Sequence, residues 1–387
     1  VERRSRLISR QLLYTPTSSP VDVAGAMVGL HSSDPATVYL SLQARLPGFA
    51  RGDLERDLYE QRTLLRLLGM RRTMFVVDSE LAAVMTAACA RALVGAEQRR
   101  LAKMIEEHGI STDGAGWVAG VCDDTMAALA DRGEAVATEL SDDVPELQLK
   151  LSFGAGKKWA AKVGVSTRIL FLLATEGRII RARPRGSWLS SQYRWAPTAQ
   201  WVSSPLDELD TAEAQQDLVA RWLRTFGPGT LTDIKWWTGW TVRDTRTALA
   251  AVGAEAVTIE DTDGETEGYV LPGDGDGASG ASGAALLPGL DPTPMGWKQR
   301  NWFLGSHGTE LFDRNGNIGP SVWSDGRIVG GWGQDPDGAV QVQLLEKVSS
   351  TAAAKIEVAR IRLQEWLGDD IVSPRFPTPL QKRIAGR

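Results

Sequence analysis

Histidine and cysteine are both scarce in this 387-residue chain: His31, His108 and His307 are its only histidines, Cys89 and Cys122 its only cysteines. Their wide spacing matches no zinc-ligand pattern and argues against a structural metal. Both cysteines fall in stretches with helical patterning and read as small buried side chains. No apolar run approaches the roughly 18–20 residues that cross a bilayer. The basic opening, VERRSRLISRQLLYTPTSSP, lacks the apolar centre of a signal peptide. A cytoplasmic protein without a membrane partner is expected on those grounds. Positive charge is not in excess either: 43 Lys and Arg stand against 48 Asp and Glu, a net charge of −5. That weighs against a general nucleic-acid binder but leaves room for a basic face. What remains is ordinary globular composition, 43% hydrophobic and 24% charged, in a chain long enough for two to four domains.

One plan recurs along the chain: helix, short helix, third helix, two strands. It is clearest from Pro205 to Pro272. DTAEAQQDLVARWLRTFG carries Leu218, Trp222 and Leu223 at helical spacing and stops at Gly227-Pro228. Thr230 with Asp233 three residues on reads as the cap of a short second helix. TVRDTRTALAAVG is a third helix, and AEAVTIEDTDGETEGYVLP a hairpin around Asp-Gly. Residues 111–184 repeat the plan, with RIIRARP as a strand whose partner lies nearby. The first eighty residues fit it with helices at Arg6–Leu13, Val21–Gly29, after Pro35 and at Asp53–Leu68, then a strand at Arg72–Val77. This is the layout of winged helices. Beyond a Gly/Ser/Asp-rich linker, GDGDGASGASGA, the chain reads as strands, an Asp-Gly hairpin and a final helix. The expected fold is α+β: tandem winged-helix units at residues 1–108, 109–204 and 205–272, and a β-rich C-terminal unit at 284–387.

Six stretches, RQLL, VGLHSSDPATVYLSLQARLPGF, LLRLLGMRRTMFVV, TFGPGTLTDIKWWTG, LLPGLDP and LFDRNGNIGPSVWSDGRIVGGW, resemble in that order the motifs of a bacterial family of winged-helix DNA glycosylases. Those enzymes remove N7-alkylated purines and unhook interstrand cross-links; the azinomycin self-resistance glycosylase is the type. The resemblance implies a DNA repair enzyme acting on double-stranded DNA, with no cofactor. The family carries glutamine–apolar–glutamine (or aspartate last) after Val-Gly-Leu. Here Val28-Gly29-Leu30 is followed by His31-Ser32-Ser33, and Gln43 lies about three helical turns too far on.

Two readings of HSSDP stand side by side. In one it is catalytic. An N7-alkylated purine already carries positive charge, so the enzyme needs chiefly to place a water behind the sugar carbon. His31 and Ser33 face one way only in an extended segment; there they would share that water, with Asp34 as counter-charge. In the other reading the stretch is punctuation, Asp34 being a favoured N-cap and Pro35 a favoured first helical residue.

Candidate DNA contacts are Arg71 and Arg72 at the head of a wing strand, and Lys157 and Lys158 in GAGKKW. Arg178, Arg181, Arg183 and Arg185 form the densest basic run, next to Trp188. Lys298 and Arg300 lie between Trp297 and Trp302; Arg314 and Asn317 belong to the DRNGNIG tip, and Arg327 to the strand beyond it. Each basic run is equally readable as a solvated face, and the tryptophans, Trp236-Trp237 above all, as core. Without catalysis the chain would be a DNA-binding regulator or repair accessory, or a protein-interaction module.

Overall fold

The computed structural model describes every residue except 1, 15–16, 154–160, 203–204, 207, 262–263, 275–281, 375–376 and 387, and except the side chains at 153, 161 and 261. The first segment contains α1 (Glu2–Arg10), α2 (Pro20–Ala26), β1 (Leu30–His31), α3 (Pro35–Arg45), α4 (Arg51–Glu55, extended by a π turn at Arg56–Glu60), β2 (Leu64–Leu68) and β3 (Met74–Asp78). Next, α5 (Ser79–Met85) runs through another π turn into α6 (Arg91–Glu107). The second segment then holds α7 (Gly114–Arg132), α8 (Ala137–Asp143), a hairpin of β4 (Lys150–Phe153) and β5 (Ala161–Gly164), α9 (Val165–Thr175), β6 (Ile179–Pro184) and β7 (Tyr193–Pro197). The third is α10 (Thr211–Phe226), α11 (Leu231–Thr238), α12 (Val242–Ala251), β8 (Glu255–Asp261) and β9 (Gly264–Val270).

The three segments share a detail no periodicity could reveal. The residue ahead of each second helix pairs antiparallel with the last strand of its own segment. Leu30 and His31 face Val76 and Phe75, Ala135 faces Trp195, and Gly229 faces Tyr269. The caps are as the sequence suggests: Thr230 and Asp233 form a reciprocal capping box on α11, and Asp34 caps α3.

The C-terminal part is a meander, β10 (Ala284–Leu287), β11 (Ser321–Ser324), β12 (Arg327–Gln334) and β13 (Val340–Leu344), paired in that order. Three short helices, α13 (Pro292–Met295), α14 (Asn301–Leu304) and α15 (Gly308–Leu311), fill the β10–β11 connection, and α16 (Ser350–Leu367) and α17 (Pro379–Ile384) follow. Asp325 and Gly326, both left-handed, turn β11 into β12 as Asp-Gly does in tight hairpins.

Several expected boundaries move, for identifiable reasons. The helix expected at Asp53–Leu68 ends by Glu60. Arg62 turns left-handed, and Leu64–Leu68, buried on both faces, pairs with β3. A short apolar run reads equally as buried strand or buried helix. The helix expected at Val21–Gly29 stops at Ala26, because Val28 and Gly29 take positive φ; a Cβ on Gly29 would sit 2.8 Å from Val77. The strand expected from Arg72 begins at Met74, with Arg71 and Arg72 forming the turn. The continuous helix Ser79–Glu107 is long and apolar enough to cross a membrane, contrary to the run-length expectation. Half of its most apolar window is buried inside the protein, as in a core helix.

Three apolar cores result. One is confined to residues 101–179 of the second segment. A second joins the first and third segments, β6 and β7 and the C-terminal part, and the last joins the first segment and Trp188 to the C-terminal part. Inside this shared packing lies a buried ion pair. Arg45 of α3 and Asp291, ahead of α13, are both fully inaccessible and joined by 2.8 Å bonds to each carboxylate oxygen. Ser41 Oγ and the Thr293 N–H donate to the same carboxylate; Arg45 also donates to the carbonyls of Gln11 and Ser41 and to Thr293 Oγ1. Burial alone would raise the Asp291 carboxyl, but Arg45 and these donors hold it below the usual carboxylate range. Asp291→Ala or Arg45→Met, each leaving a lone buried charge, should lower the unfolding free energy by about 3–5 kcal/mol in urea titrations. The double replacement should cost less than the sum; strictly additive losses would show the two side chains to be uncoupled.

Candidate active site

The HSSDP stretch is extended because β1 pairs with β3: after the His31–Phe75 pair, the Ser32 N–H donates to the Met74 carbonyl at 2.7 Å. Asp34 then caps α3, its carboxylate accepting from the Ala36 N–H at 3.0 Å, and Pro35 opens the helix. The punctuation reading is therefore correct as structure. It coexists with the geometry that the catalytic reading requires, since alternation turns His31 and Ser33 one way and Ser32 the other. Ser32 is wholly buried and its Oγ accepts from Arg66 Nε at 2.8 Å. Arg66, itself 1% exposed, also donates to the Tyr59 hydroxyl and lies 4.5 Å from the centre of the Tyr193 ring.

His31 is 8% exposed and meets Phe75 edge-on at 5.4 Å. The Ser33 N–H points at its Nδ1 from 3.5 Å, and Ser33 Oγ accepts from the Met74 N–H at 3.4 Å. Burial, reinforced by the positive charge of Arg71, pushes the imidazole down to about 4. At neutral pH the ring is uncharged, an acceptor through one nitrogen and a donor through the other.

His31, Ser33 and Asp34 form one end of a cavity of about 660 Å³. Ala36, Thr37 and Leu40 of α3 continue the wall. The lining is completed by the Pro288–Leu290 loop, residues 317–320 after the DRNG turn, Trp332–Gln334 of β12 with Asp335, Ile371–Pro374, and Gln381 and Lys382 of α17. Thr37 Oγ1 donates to the Gly289 carbonyl, tying α3 to the Pro288–Leu290 loop. The volume is that of a small-molecule site, and the lining is mostly apolar with a few directed polar groups. Among the described residues no cluster of three or more His, Cys, Asp or Glu is arranged to hold a metal.

The cations singled out in the sequence fall into different groups. Arg72 pairs with Glu97 at 2.7 Å, Arg183 with Glu55 at 2.6 Å, and Arg327 with Glu346 at 3.0 Å, so each is neutralised by a neighbour. Arg181 turns inward over Tyr193 and Trp195, and burial pushes its guanidinium down to about 10. Trp297 and Trp302 are core, their indole N–H groups donating to the carbonyls of Phe226 and Gln299. They are not stacking platforms beside Lys298 and Arg300. Lys298, Arg185 and Arg314 are exposed. Asn317 lines the His31 cavity, held by an Nδ2–H bond to Asp313. Lys157 and Lys158 lie outside the described residues. Sequence reasoning missed Ile371–Pro374 and the α17 residues Gln381 and Lys382 as cavity lining. It also read Trp236 as core, whereas the ring is half-buried and carries Arg71 and Arg300. The WW doublet was the available signal, since only Trp237 is turned inward.

No curated protein matches the chain. The DNA glycosylase AlkZ of Streptomyces sahachiroi shares its fold, with a TM-score of 0.73 over 97% of this chain and 98% of that one, at 18% sequence identity. The family model described as DNA glycosylase AlkZ-like matches residues 24–366. That span runs from α2 to the last turn of α16 and takes in His31, the Arg71-Arg72 turn and the Asn317 hairpin. The chain belongs to the AlkZ-like DNA glycosylase family.

Proposed function

We propose that this chain is a monofunctional DNA glycosylase that hydrolyses the N-glycosidic bond of N7-alkylated or bulky, cross-linked purines in double-stranded DNA, in the cytoplasm and without a cofactor. The observation that carries the reading is the placement of His31 and Ser33 side by side on the wall of a 660 Å³ cavity. The three helix–helix–hairpin segments act as winged-helix units within residues 1–108, 109–204 and 205–272, and residues 284–387 complete the cavity. The imidazole and the Ser33 hydroxyl orient a water toward the sugar carbon, and Asp34 offsets the charge of an oxocarbenium-like transition state. N7 alkylation makes the base a cationic leaving group, so no acid has to protonate it. The Asp34–Pro35 helix start also suits a DNA-binding protein without chemistry, and base release separates the two.

In single-turnover assays on duplex carrying N7-methylguanine or a nitrogen-mustard cross-link, His31→Ala should slow base release by about 100-fold or more, with duplex binding retained. Equal rates in wild type and variant would remove His31 from the chemistry.

The pH dependence follows from the lowered imidazole. His31 is neutral above about 4 and charges below it, so release should stay level from pH 8 to 5 and fall as the ring gains its proton. Because the folded state resists protonation more than the unfolded chain, stability should also drop from about pH 6.5 toward 4. NMR titration of the His31 ring checks both; a midpoint near 6.5 would contradict the buried, neutral assignment.

A further inference from the structure

The turn joining β2 to β3 is built against conformational preference. Arg71 and Arg72 are both left-handed, with φ of 53° and 62°, in a position where tight hairpins use Asn-Gly. Strain of this kind persists where the surrounding structure has a use for it. Arg72 spends it on Glu97. Arg71 has no carboxylate within ion-pairing distance among the described residues; its guanidinium lies 4.4 Å from the centre of the Trp236 ring of α11. Arg300, from the loop before α14, sits 5.1 Å from the same ring and 4.7 Å from that of Phe312. It too lacks a carboxylate at ion-pairing distance among the described residues, and its side-chain bonds are long ones to the Lys298 and Pro294 carbonyls at 3.4 and 3.5 Å. Three separate parts of the chain thus bring two like charges around one indole. Burial first, then the neighbouring Arg71, push Arg300 down to about 10, with the Asp233 carboxylate opposing them.

The ladder stands beside the His31 cavity. Thr73, two residues after Arg71, lines that cavity, and so does Asn317, five residues after Phe312. With rings against their faces, the guanidinium groups have N–H edges to offer, the geometry that takes two phosphate oxygens at once.

We propose that Arg71 and Arg300, sharing the Trp236 ring, form a phosphodiester site that seats the DNA backbone beside the His31 cavity. The site rests on the DNA reading proposed above but not on the chemistry at His31. Its anion is a singly charged backbone phosphate; the neutralised Arg72, Arg183 and Arg327 take no part.

The test uses undamaged duplex and the whole protein. Binding is followed by fluorescence anisotropy against salt, for duplexes in which one phosphate at a time is replaced by an uncharged methylphosphonate. Wild type should lose affinity about tenfold at one or two positions. Arg71→Gln/Arg300→Gln should bind unmodified duplex more weakly, with a log–log salt slope smaller by about 1–2, and should be indifferent to methylphosphonate at those positions. Arg71→Lys, which keeps the charge, should recover part of the loss, and Arg327→Gln should leave the slope unchanged. Thermal melting shows that each variant is folded. If the double variant, folded, keeps the wild-type slope and the same sensitive positions, the site is refuted even where base release persists. If wild type fails to bind duplex at all, both this site and the DNA reading fall. Loss of release in His31→Ala with these couplings intact would leave the phosphodiester site standing.

Discussion

Neither Arg45 nor Asp291 keeps contact with water, and either charge alone would be expensive to bury. Together, with Ser41, Thr293 and the Gln11 carbonyl using their remaining donors and acceptors, they form a closed network. Its geometric effect exceeds its energetic one. Arg45 is the last residue of the helix that Asp34 begins, so the network anchors the far end of the element that starts at the candidate active site. Asp291 follows Pro288–Leu290, which also lines the cavity. A directional ion pair fixes the separation of these two parts of the lining where apolar contact alone would tolerate sliding. A second buried carboxylate does the same for the third segment. Asp233 of the α11 capping box also accepts from the N–H groups of Lys298 and Gln299 at 2.9 Å. These are the residues that lead to Arg300, so one carboxylate caps α11 and positions the cation over Trp236 on that same helix.

The acidic balance of the chain becomes intelligible from its ion pairs. Glu97, Glu55 and Glu346 each silence an arginine that the sequence offers as a DNA contact. Desolvation removes Arg181 from the surface in another way, leaving it stacked on aromatic rings. Net charge therefore understates how selective the cationic surface is. Arg71 and Arg300 gain weight because so many neighbours are cancelled. The partly exposed Arg183 and Arg327 pairs contribute little stability, and the larger consequence of all three is to confine positive potential to a few places.

How much of this could be read in the sequence depended on whether a signal was local. Asp34-Pro35, the Thr230–Asp233 box, Gly227-Pro228 and Asp325-Gly326 all act within one turn of chain, and their elements start or stop where expected. Leu64–Leu68 was misread as helix because its identity as strand is decided by β3 across the hairpin. The bridges at Ala135 and Gly229 are single pairs and leave no periodic trace. Of the candidate site, His31 and Ser33 stand out from residue type and from their place after Val-Gly-Leu, and both line the cavity. Arg66 under Ser32 does not stand out, since LLRLL presents it as one polar residue in an apolar run. The direction of each arginine was also hidden: Arg181 and Arg183 are two residues apart, yet the first is stacked inward and the second pairs with Glu55.

The proposed mechanism gives His31 and Ser33 the work that the resemblance assigns to paired glutamines, and so asks what the reaction needs from this wall. An amide and a neutral imidazole share a lone pair for a water proton, and neither is a strong base as held here. An imidazole lowered to about 4 takes little proton density from a resting water. Under the proposed mechanism it has no need to. As the bond to a cationic base lengthens, positive charge grows on the sugar and the approaching water becomes acidic, so proton acceptance can lag behind attack. Two titratable groups on the cavity lining are poor acids at neutral pH: burial keeps His31 uncharged, and hydrogen bonds from Gln341 and the Ala339 N–H hold Asp335 below the usual carboxylate range. Neither group supplies the proton that a neutral purine needs at N7 before it can leave. Under the proposed mechanism, a preference for bases carrying their own charge follows from the desolvation of His31.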